Sequence, residues 1–453
     1  MPPKKQKVVI DVDAASGASD TVPTPTGAAT IGKYNPRDIE DIIPDTEWKA
    51  KEITAGVLKW YEGHRRDLPW RLPSATPYGV WVSEIMAQQT QIATMLPYWE
   101  RWMKSFPTPA ALAEASEETV RHHWSGLGYY RRATYLHQGA KYVVNTLGGH
   151  LPKSPAELKK IPGIGPYTAA AIASISFGVA AAVVDGNVLR VIARIRGDRE
   201  CNIKDPNTIQ RTWSDAEKMV QKASQRPGDW NQAMMEVGAT VCKPSGAPLC
   251  ASCPFATVCR AKALLDKKDI TQIEGTIPLL KEATKKRTEH VACAVLEIDR
   301  CVLLVRRPAS GLLANLLELP TVVFGTKPPE SEKMEKELTK KLKEFTAVLP
   351  KGLQVNDLKL RNVGVVKHIF SHIDMSIHCF VVTVESKKPI APIQPVLKEK
   401  FEAQGFVPLA RLSDFPLATM VGKVVKKAEA SSPEKRKRGR SPSPTKKQTS
   451  KKK

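Results

Sequence analysis

The stretch LKKIPGIGPYTAAAIASI, residues 158 to 175, decides the architecture of the first half of the chain. One helical segment ends near Lys160, Pro162 and Gly163 turn the backbone, and a second helix begins near Tyr167. Proline lacks the N–H of a helical hydrogen bond and glycine tolerates left-handed backbone, so the pair breaks one helix while the alanines favour the next. The result is a helix-hairpin-helix. Gly163 and Gly165 permit close approach to the backbone, and free N–H groups at the second helix's start make a seat for a phosphate. A sequence-independent grip on a nucleic-acid backbone follows from that geometry, although a plain packing turn reads the same way. The GK[ST] ending of a nucleotide-binding loop is absent.

Working outward, the 453 residues have a length prior of about three domains if all of them fold. Residues 1–44 are rich in Pro, Ala, Gly, Ser and Thr without an apolar period, which predicts a disordered N-terminal tail with a basic start. Residues 421–453 read as a basic tail: from Lys423 onward 13 Lys and Arg face Glu429 and Glu434, a net +11 of the chain's +23. Such tails bind polyanions or are read by import receptors, and the clusters PPKKQKV (2–8) and EKRKRGR (434–440) are of the nuclear-import kind. A nuclear location is therefore expected, with a mitochondrial form not excluded. The first 36 residues carry no Arg and include Asp11, Asp13 and Asp20, unlike a transit peptide, and no apolar core suggests a secretory signal. The longest apolar run, Ala169 to Val184, is too short for a bilayer span, and no membrane association is expected.

Between the tails the hydrophobic period changes once. Residues 45–265 carry apolar residues at three- and four-residue spacing between Gly and Pro breaks, the pattern of an all-α body. Residues 266–289 are charged and broken, as a linker would be. Residues 290–420 include HVACAVLEI, CVLLVRR and HCFVVTVE, which read as strands of a smaller α+β domain. The chain is thus expected to be multidomain.

Four of its eight cysteines, Cys242, Cys250, Cys253 and Cys259, fall within 18 residues at C-x7-C-x2-C-x5-C spacing. Thiolates so placed converge on zinc or on an iron–sulfur cluster, and spacing alone does not separate the two. The other four, Cys201, Cys293, Cys301 and Cys379, read as buried small hydrophobes. Twenty residues past the hairpin stands Asp185 in VVDGN, either a helix N-cap or a carboxylate in a cleft wall. Glu84 follows Val80, Trp81 and Val82 on an apolar helix, where burial would raise its pKa toward that of a general acid. Two carboxyl groups with one protonated are the equipment for breaking a glycosidic bond. In GLGYYRRATYL (126–136), aromatics and arginines beside a glycine turn suit either a DNA wedge or core packing.

Taken together, PWR (69–71), WVSEIMAQQTQIATMLPYWERW (81–102), GLGYYRRA (126–133), the hairpin, VDGNVLRV (184–191), WNQAMMEVGATVC (230–242) and the cysteine quartet closely resemble the MutY-type adenine DNA glycosylases. RRPASGLLANLLELP (306–320) and HIFSHIDMSIHCF (368–380) extend the resemblance into a Nudix-like C-terminal domain, so that it covers about residues 45–420. It implies a helix-hairpin-helix body with a 4Fe–4S cluster on the four cysteines, and excision of adenine opposite 8-oxoguanine or guanine in double-stranded DNA by a monomer. It further implies that Glu84 protonates the base and that Asp185 stabilises the cationic sugar, with Tyr167 and Asn187 lining the pocket. Trp70 and Arg71 would border the flipped adenine, and Gln89 and Tyr129 would fill or wedge the stack. Phe370, Ser371 and His372 would read 8-oxoguanine. Other repair proteins as partners are not readable from the sequence.

The chain departs from the family pattern in two places: seven rather than six residues separate Cys242 from Cys250, and Leu317 stands where an aromatic is common. No acid cluster of a Nudix hydrolase is present, so the C-terminal domain is expected to recognise DNA rather than hydrolyse nucleotides. Added linker cysteines for zinc and a QxxLxxFF motif are also missing. Two other readings compete: a glycosylase-lyase like endonuclease III and a non-enzymatic repair scaffold. The lyase needs a Schiff-base lysine where this chain has Tyr167, and the scaffold would lack Glu84 or Asp185.

Overall fold

A computed structural model describes residues 47–431 apart from 224, 280–284, 371, 387–388 and 397–400. The expected N-terminal tail, both basic import clusters and Ser371 lie outside the described residues. The chain divides into two compact units, one of residues up to 120 with 131–282, the other of 121–130 with 283 onward. Among the described residues no helix is long and apolar enough to cross a membrane.

Among its described residues the first unit is built of helices. Its elements are α1 (Glu47–His64), α2 (Pro77–Ala87), α3 (Ile92–Ser105), α4 (Pro109–Glu114), α5 (Glu117–Trp124, which runs past residue 120), α6 (Arg131–Leu147), α7 (Pro155–Leu158), α8 (Pro166–Phe177), α9 (Gly186–Arg196), α10 (Pro206–Gln221), α11 (Pro227–Thr240) and α12 (Arg260–Asp266). Helices α2 and α8 are apolar on nearly every side, which dictates that both lie inside the bundle. Residues 78–86 of α2 and 168–174 of α8 are all buried, and the two helices pack together. Thr76 caps α2 by accepting from the Gly79 N–H at 3.0 Å. Helix α11 packs against α1, α8, α9 and α10, and Trp230, Ala233, Met234 and Val237 fill the centre with Val57 and Tyr61 of α1 and Val188 and Ile192 of α9. At Gly238 a Cβ would stand 2.6 Å from that of Asn187, so only glycine lets α11 approach the start of α9 this closely.

The second unit is a seven-stranded sheet with a helix on each face. Its elements are β1 (Arg287–Ile298), β2 (Cys301–Arg306), β3 (Leu317–Glu318), β4 (Thr321–Gly325), α13 (Ser331–Lys343), β5 (Leu358–Ile369), β6 (Ile373–Val384), β7 (Gln404–Pro408) and α14 (Thr419–Ala430). The strand order is β3-β2-β1-β6-β5, with β4 also paired to β1 and β7 to β2. Among the described strands, β1 and β6 pair in parallel. Period-two alternation divides β1 between two cores. Val291, Cys293 and Val295 face α14, and Ala292, Ala294 and Leu296 face α13.

Two boundaries differ from the sequence reading. Within the expected linker, Ile270, Ile273 and Ile277 are buried beside Cys201 and Ala261, and the Leu279 N–H donates to the Cys201 carbonyl at 3.1 Å. Isoleucines at three- and four-residue spacing outweigh the charges between them, and the stretch joins the helical unit. The basic tail likewise begins later than residue 421, because Val421, Val424, Val425 and Ala428 of α14 are buried on the sheet. Cys201, Cys293, Cys301 and Cys379 are all buried, as small apolar residues would be.

Candidate active site

The hairpin takes its shape from Gly163, whose φ is +81° and whose added Cβ would meet that of Tyr135 at 2.6 Å. Gly165, the residue before α8, has nothing within 4 Å of a Cβ position. The start of α8 is therefore open, as backbone contact with a phosphate requires. Two residues later Tyr167 turns the other way, into the bundle, and its hydroxyl donates to Oε2 of Glu84 at 2.9 Å. Met235 Sδ of α11 lies 3.2 Å from the same hydroxyl.

Glu84 is 8% exposed within α2. Burial pushes its carboxyl up to about 7, aided by the charge of Asp185 and opposed by the Tyr167 hydrogen bond and by Arg71. Burial beside Glu84 and Asp185 holds the Tyr167 phenol well above its ordinary range. Near neutral pH the site thus contains a carboxylic acid that retains a proton for donation.

The N-cap reading of Asp185 holds. It is the N-cap of α9, accepting through Oδ1 from Asn187 N at 2.9 Å and Val188 N at 2.8 Å. Its Oδ2 accepts from Asn187 Nδ2 at 2.7 Å. Burial raises its carboxyl, against the pull of these donors and of Arg190 toward the carboxylate. Asn187 Oδ1 in turn accepts from Arg190 at 2.9 Å, and Arg190 donates to the carbonyls of Gly238 at 2.7 Å and Cys242 at 2.8 Å. A chain of hydrogen bonds therefore joins Asp185 to the start of the cysteine loop. The approach to Asp185 is fixed by Asn231, which accepts from Val183 N at 3.1 Å and donates to the Ala181 carbonyl at 2.8 Å.

Trp70 and Arg71 are both buried or nearly so, Trp70 tilted against Trp99 with ring centroids 5.4 Å apart. Arg71 donates to Glu236 Oε2 at 2.9 Å and to Gln232 Oε1 at 3.1 Å. Arg66 forks onto Glu236 at 2.6 and 3.0 Å. Burial would raise the Glu236 carboxyl, but the two guanidiniums outweigh it and hold the group below its ordinary value. Removing Glu236 would leave the buried Arg71 without its ion-pair partner, a loss on the order of 3 kcal/mol. The sequence reading missed Arg66, Gln232, Met235 and Glu236. A buried acid inside the apolar period of WNQAMMEVGATVC was the available signal.

Gln89 and Tyr129 share an unusual backbone: each has positive φ, +52° and +47°, and each is exposed. Non-glycine residues are held there only by surrounding structure. Arg132 supplies it for Gln89, donating to the carbonyls of Ile85, Met86 and Gln88 at 3.0, 2.8 and 2.5 Å. In the second unit Phe370 and His372 lie between β5 and β6. Phe370 N donates to the Ile373 carbonyl at 2.8 Å, and Arg287 N to that of His372 at 3.0 Å. Lys286 Nζ donates to the Phe370 carbonyl at 2.9 Å, a support the sequence reading also missed.

Cys242, Cys250, Cys253 and Cys259 line one cavity with Arg194, Lys262 and apolar residues, and none is in a disulfide. Among the described residues no three His, Cys, Asp or Glu side chains gather as a single-ion site. Arg194 donates to Cys242 Sγ at 3.3 Å and to the Lys243 carbonyl at 2.9 Å. Burial pushes the thiols of Cys253 and Cys259 up to about 12 and about 11, so ligation there must displace protons. The donor set fits a thiolate-bound group: four sulfurs, no competing carboxylate in the lining, and cations to offset their charge.

Residues 82–215 match the model of the HhH-GPD superfamily of base excision DNA repair proteins, and residues 291–427 match a NUDIX domain. The adenine DNA glycosylase of Homo sapiens is 38% identical over 396 residues, which cover 76% of this chain and 70% of that protein. Those of Rattus norvegicus and Mus musculus are 38% and 39% identical, with 76% and 74% of this chain and 73% and 72% of theirs covered. The chain belongs to the adenine DNA glycosylase family. This glycosylase is accordingly a DNA N-glycosylase of base excision repair, and the all-α body followed by a Nudix-like α+β domain is the fold expected from the sequence.

Proposed function

We propose that the protein hydrolyses the N-glycosidic bond of adenine mispaired with 8-oxoguanine or guanine in duplex DNA and leaves the strand uncut. The observation that carries this reading is the Tyr167 to Glu84 hydrogen bond. It links the hairpin to an acid whose carboxyl burial pushes up to about 7, and the linking group is a phenol where a lyase needs an amine. Extruding the adenine costs a few kcal/mol, roughly, in lost stacking. Glu84 then gives its proton to a ring nitrogen, and the C–N electron pair leaves with the base. The Asp185 carboxylate faces the sugar cation that remains. Water adds at the anomeric carbon, and its proton returns to Glu84. Trp70, Arg71 and Asn187 border the base and sugar, while Gln89 and Tyr129 occupy the gap in the stack.

Phe370, Ser371 and His372 are assigned to reading 8-oxoguanine. The four cysteines would hold a 4Fe–4S cluster, which when bound supplies a rigid cross-link for the loop whose first carbonyl Arg190 grips. The basic ends and clusters read from the sequence support a nuclear location and a search along duplex DNA, while the monomer rests on the family resemblance alone. Product analysis tests the chemistry: free adenine and a strand that breaks only after alkali are expected. A strand cut without alkali, or an enzyme–DNA adduct trapped by borohydride, would overturn it.

A further inference from the structure

The Tyr167 hydroxyl carries one hydrogen and has two acceptors, Glu84 Oε2 at 2.9 Å and Met235 Sδ at 3.2 Å. Met235 is partly buried on α11 and packs with Tyr167 beside Ala170, Ala171 and Val183. A thioether is a weak acceptor and a carboxylate a strong one. A neutral carboxyl group lies between them in its hold on the hydroxyl. Where the hydrogen points therefore depends on whether Glu84 is protonated.

Resting on the assignment of Glu84 as the acid, we infer that Met235 is a positioning residue: its Sδ competes with Glu84 for the Tyr167 hydroxyl and loosens that donor's hold on the acid until Glu84 has given up its proton. While Glu84 is neutral, the hydroxyl is shared between the carboxyl oxygen and the sulfur, and its pull toward the carboxylate form is weakened. As the Glu84 O–H bond breaks and the N–H bond of the departing adenine forms, negative charge grows on Glu84 and the hydroxyl turns to it. A hydrogen bond that strengthens as that charge develops lowers the barrier, whereas one already at full strength in the ground state would stabilise the deprotonated, inactive acid. Weakness as an acceptor is thus what suits methionine to the place.

The other groups facing this switch do not substitute for it. Glu84 meets Asp185 from the start of α9 and Arg71 from the turn after Pro69, and Tyr167 meets only Glu84 and Asp185 among charged groups that bear on it. Glu236, next to Met235 on α11, is engaged by Arg66 and Arg71.

The test is the pH dependence of single-turnover adenine excision from an A:8-oxoguanine duplex by the full-length protein. Met235→Leu keeps the volume and removes the acceptor, with Met235→Ile as a second apolar replacement. Either should move the alkaline limb to lower pH, with rates within about twofold of the parent at acid pH and down about three- to tenfold on the alkaline side. Met235→Gln, which restores an acceptor, should return the limb to the parent position or above it. Tyr167→Phe should move it to higher pH, and Tyr167→Phe/Met235→Leu should coincide with Tyr167→Phe. An unmoved limb in the apolar variants, or a double variant whose limb differs from that of Tyr167→Phe, would overturn the inference. Excision by Glu84→Gln at the parental rate would instead sink the assignment of the acid.

Discussion

The hydroxyl of Tyr167, two residues past the last hairpin glycine, donates to Oε2 of Glu84 across 2.9 Å, so the hairpin turn and the buried acid of α2 form one unit. The backbone of that turn faces outward while its side chain reaches the chemistry.

Activity should fall with rising pH through the ionisation of Glu84, whose carboxyl is pushed up to about 7. The acid works only when protonated, so single-turnover excision should be level below that value and decline above it, each further pH unit costing about tenfold. A profile level from acid to alkaline pH would contradict the role of Glu84.

Stability should respond in the opposite sense to replacement of that acid. The folded value of Glu84 lies above its ordinary value of 4.5, so the native state binds the proton more tightly than the unfolded chain. The group's favourable contribution is complete below about pH 4.5 and is lost as pH rises through about 7. Glu84→Gln should therefore gain in stability over the parent with rising pH, by on the order of 3 kcal/mol above neutrality. Denaturation at a series of pH values reads the difference, and a constant offset would show that the site does not penalise the charge.

Asp185→Asn separates capping from catalysis. Asparagine caps helices about as well as aspartate, so α9 and the fold should persist. Excision should nonetheless drop by about a hundredfold or more, because the charge facing the sugar cation is gone, while binding of the mispaired duplex is retained. Activity near that of the parent would mean that Asp185 serves only its helix.

What the sequence disclosed, and what it withheld, follows from the range of the interactions. The hairpin, Glu84, Asp185 and the cysteines were legible because each sits in a short stretch whose spacing carries its own meaning. Glu236 was not, since its partner Arg66 lies 170 residues away and a single acid hardly disturbs the apolar period of α11. Helix α14 was hidden because Lys423, Lys426 and Lys427 punctuate its buried valines. Strand β5, LKLRNVGVVKHI, went unread because its lysines and arginine mask the alternation of an edge strand.

Iron content decides what the quartet holds. The purified protein should contain about four irons per chain and show the broad visible absorption of thiolate-bound iron–sulfur. Cys253→Ser should lower both. Stoichiometric zinc without iron would replace the cluster by a structural zinc site.

The most direct measurement follows adenine release under single turnover from three duplexes that differ only in the base opposite adenine: 8-oxoguanine, guanine or thymine. Release should be fastest opposite 8-oxoguanine, slower opposite guanine and undetectable opposite thymine. No release from the first duplex, or equal release from all three, would contradict a mispair-specific adenine glycosylase.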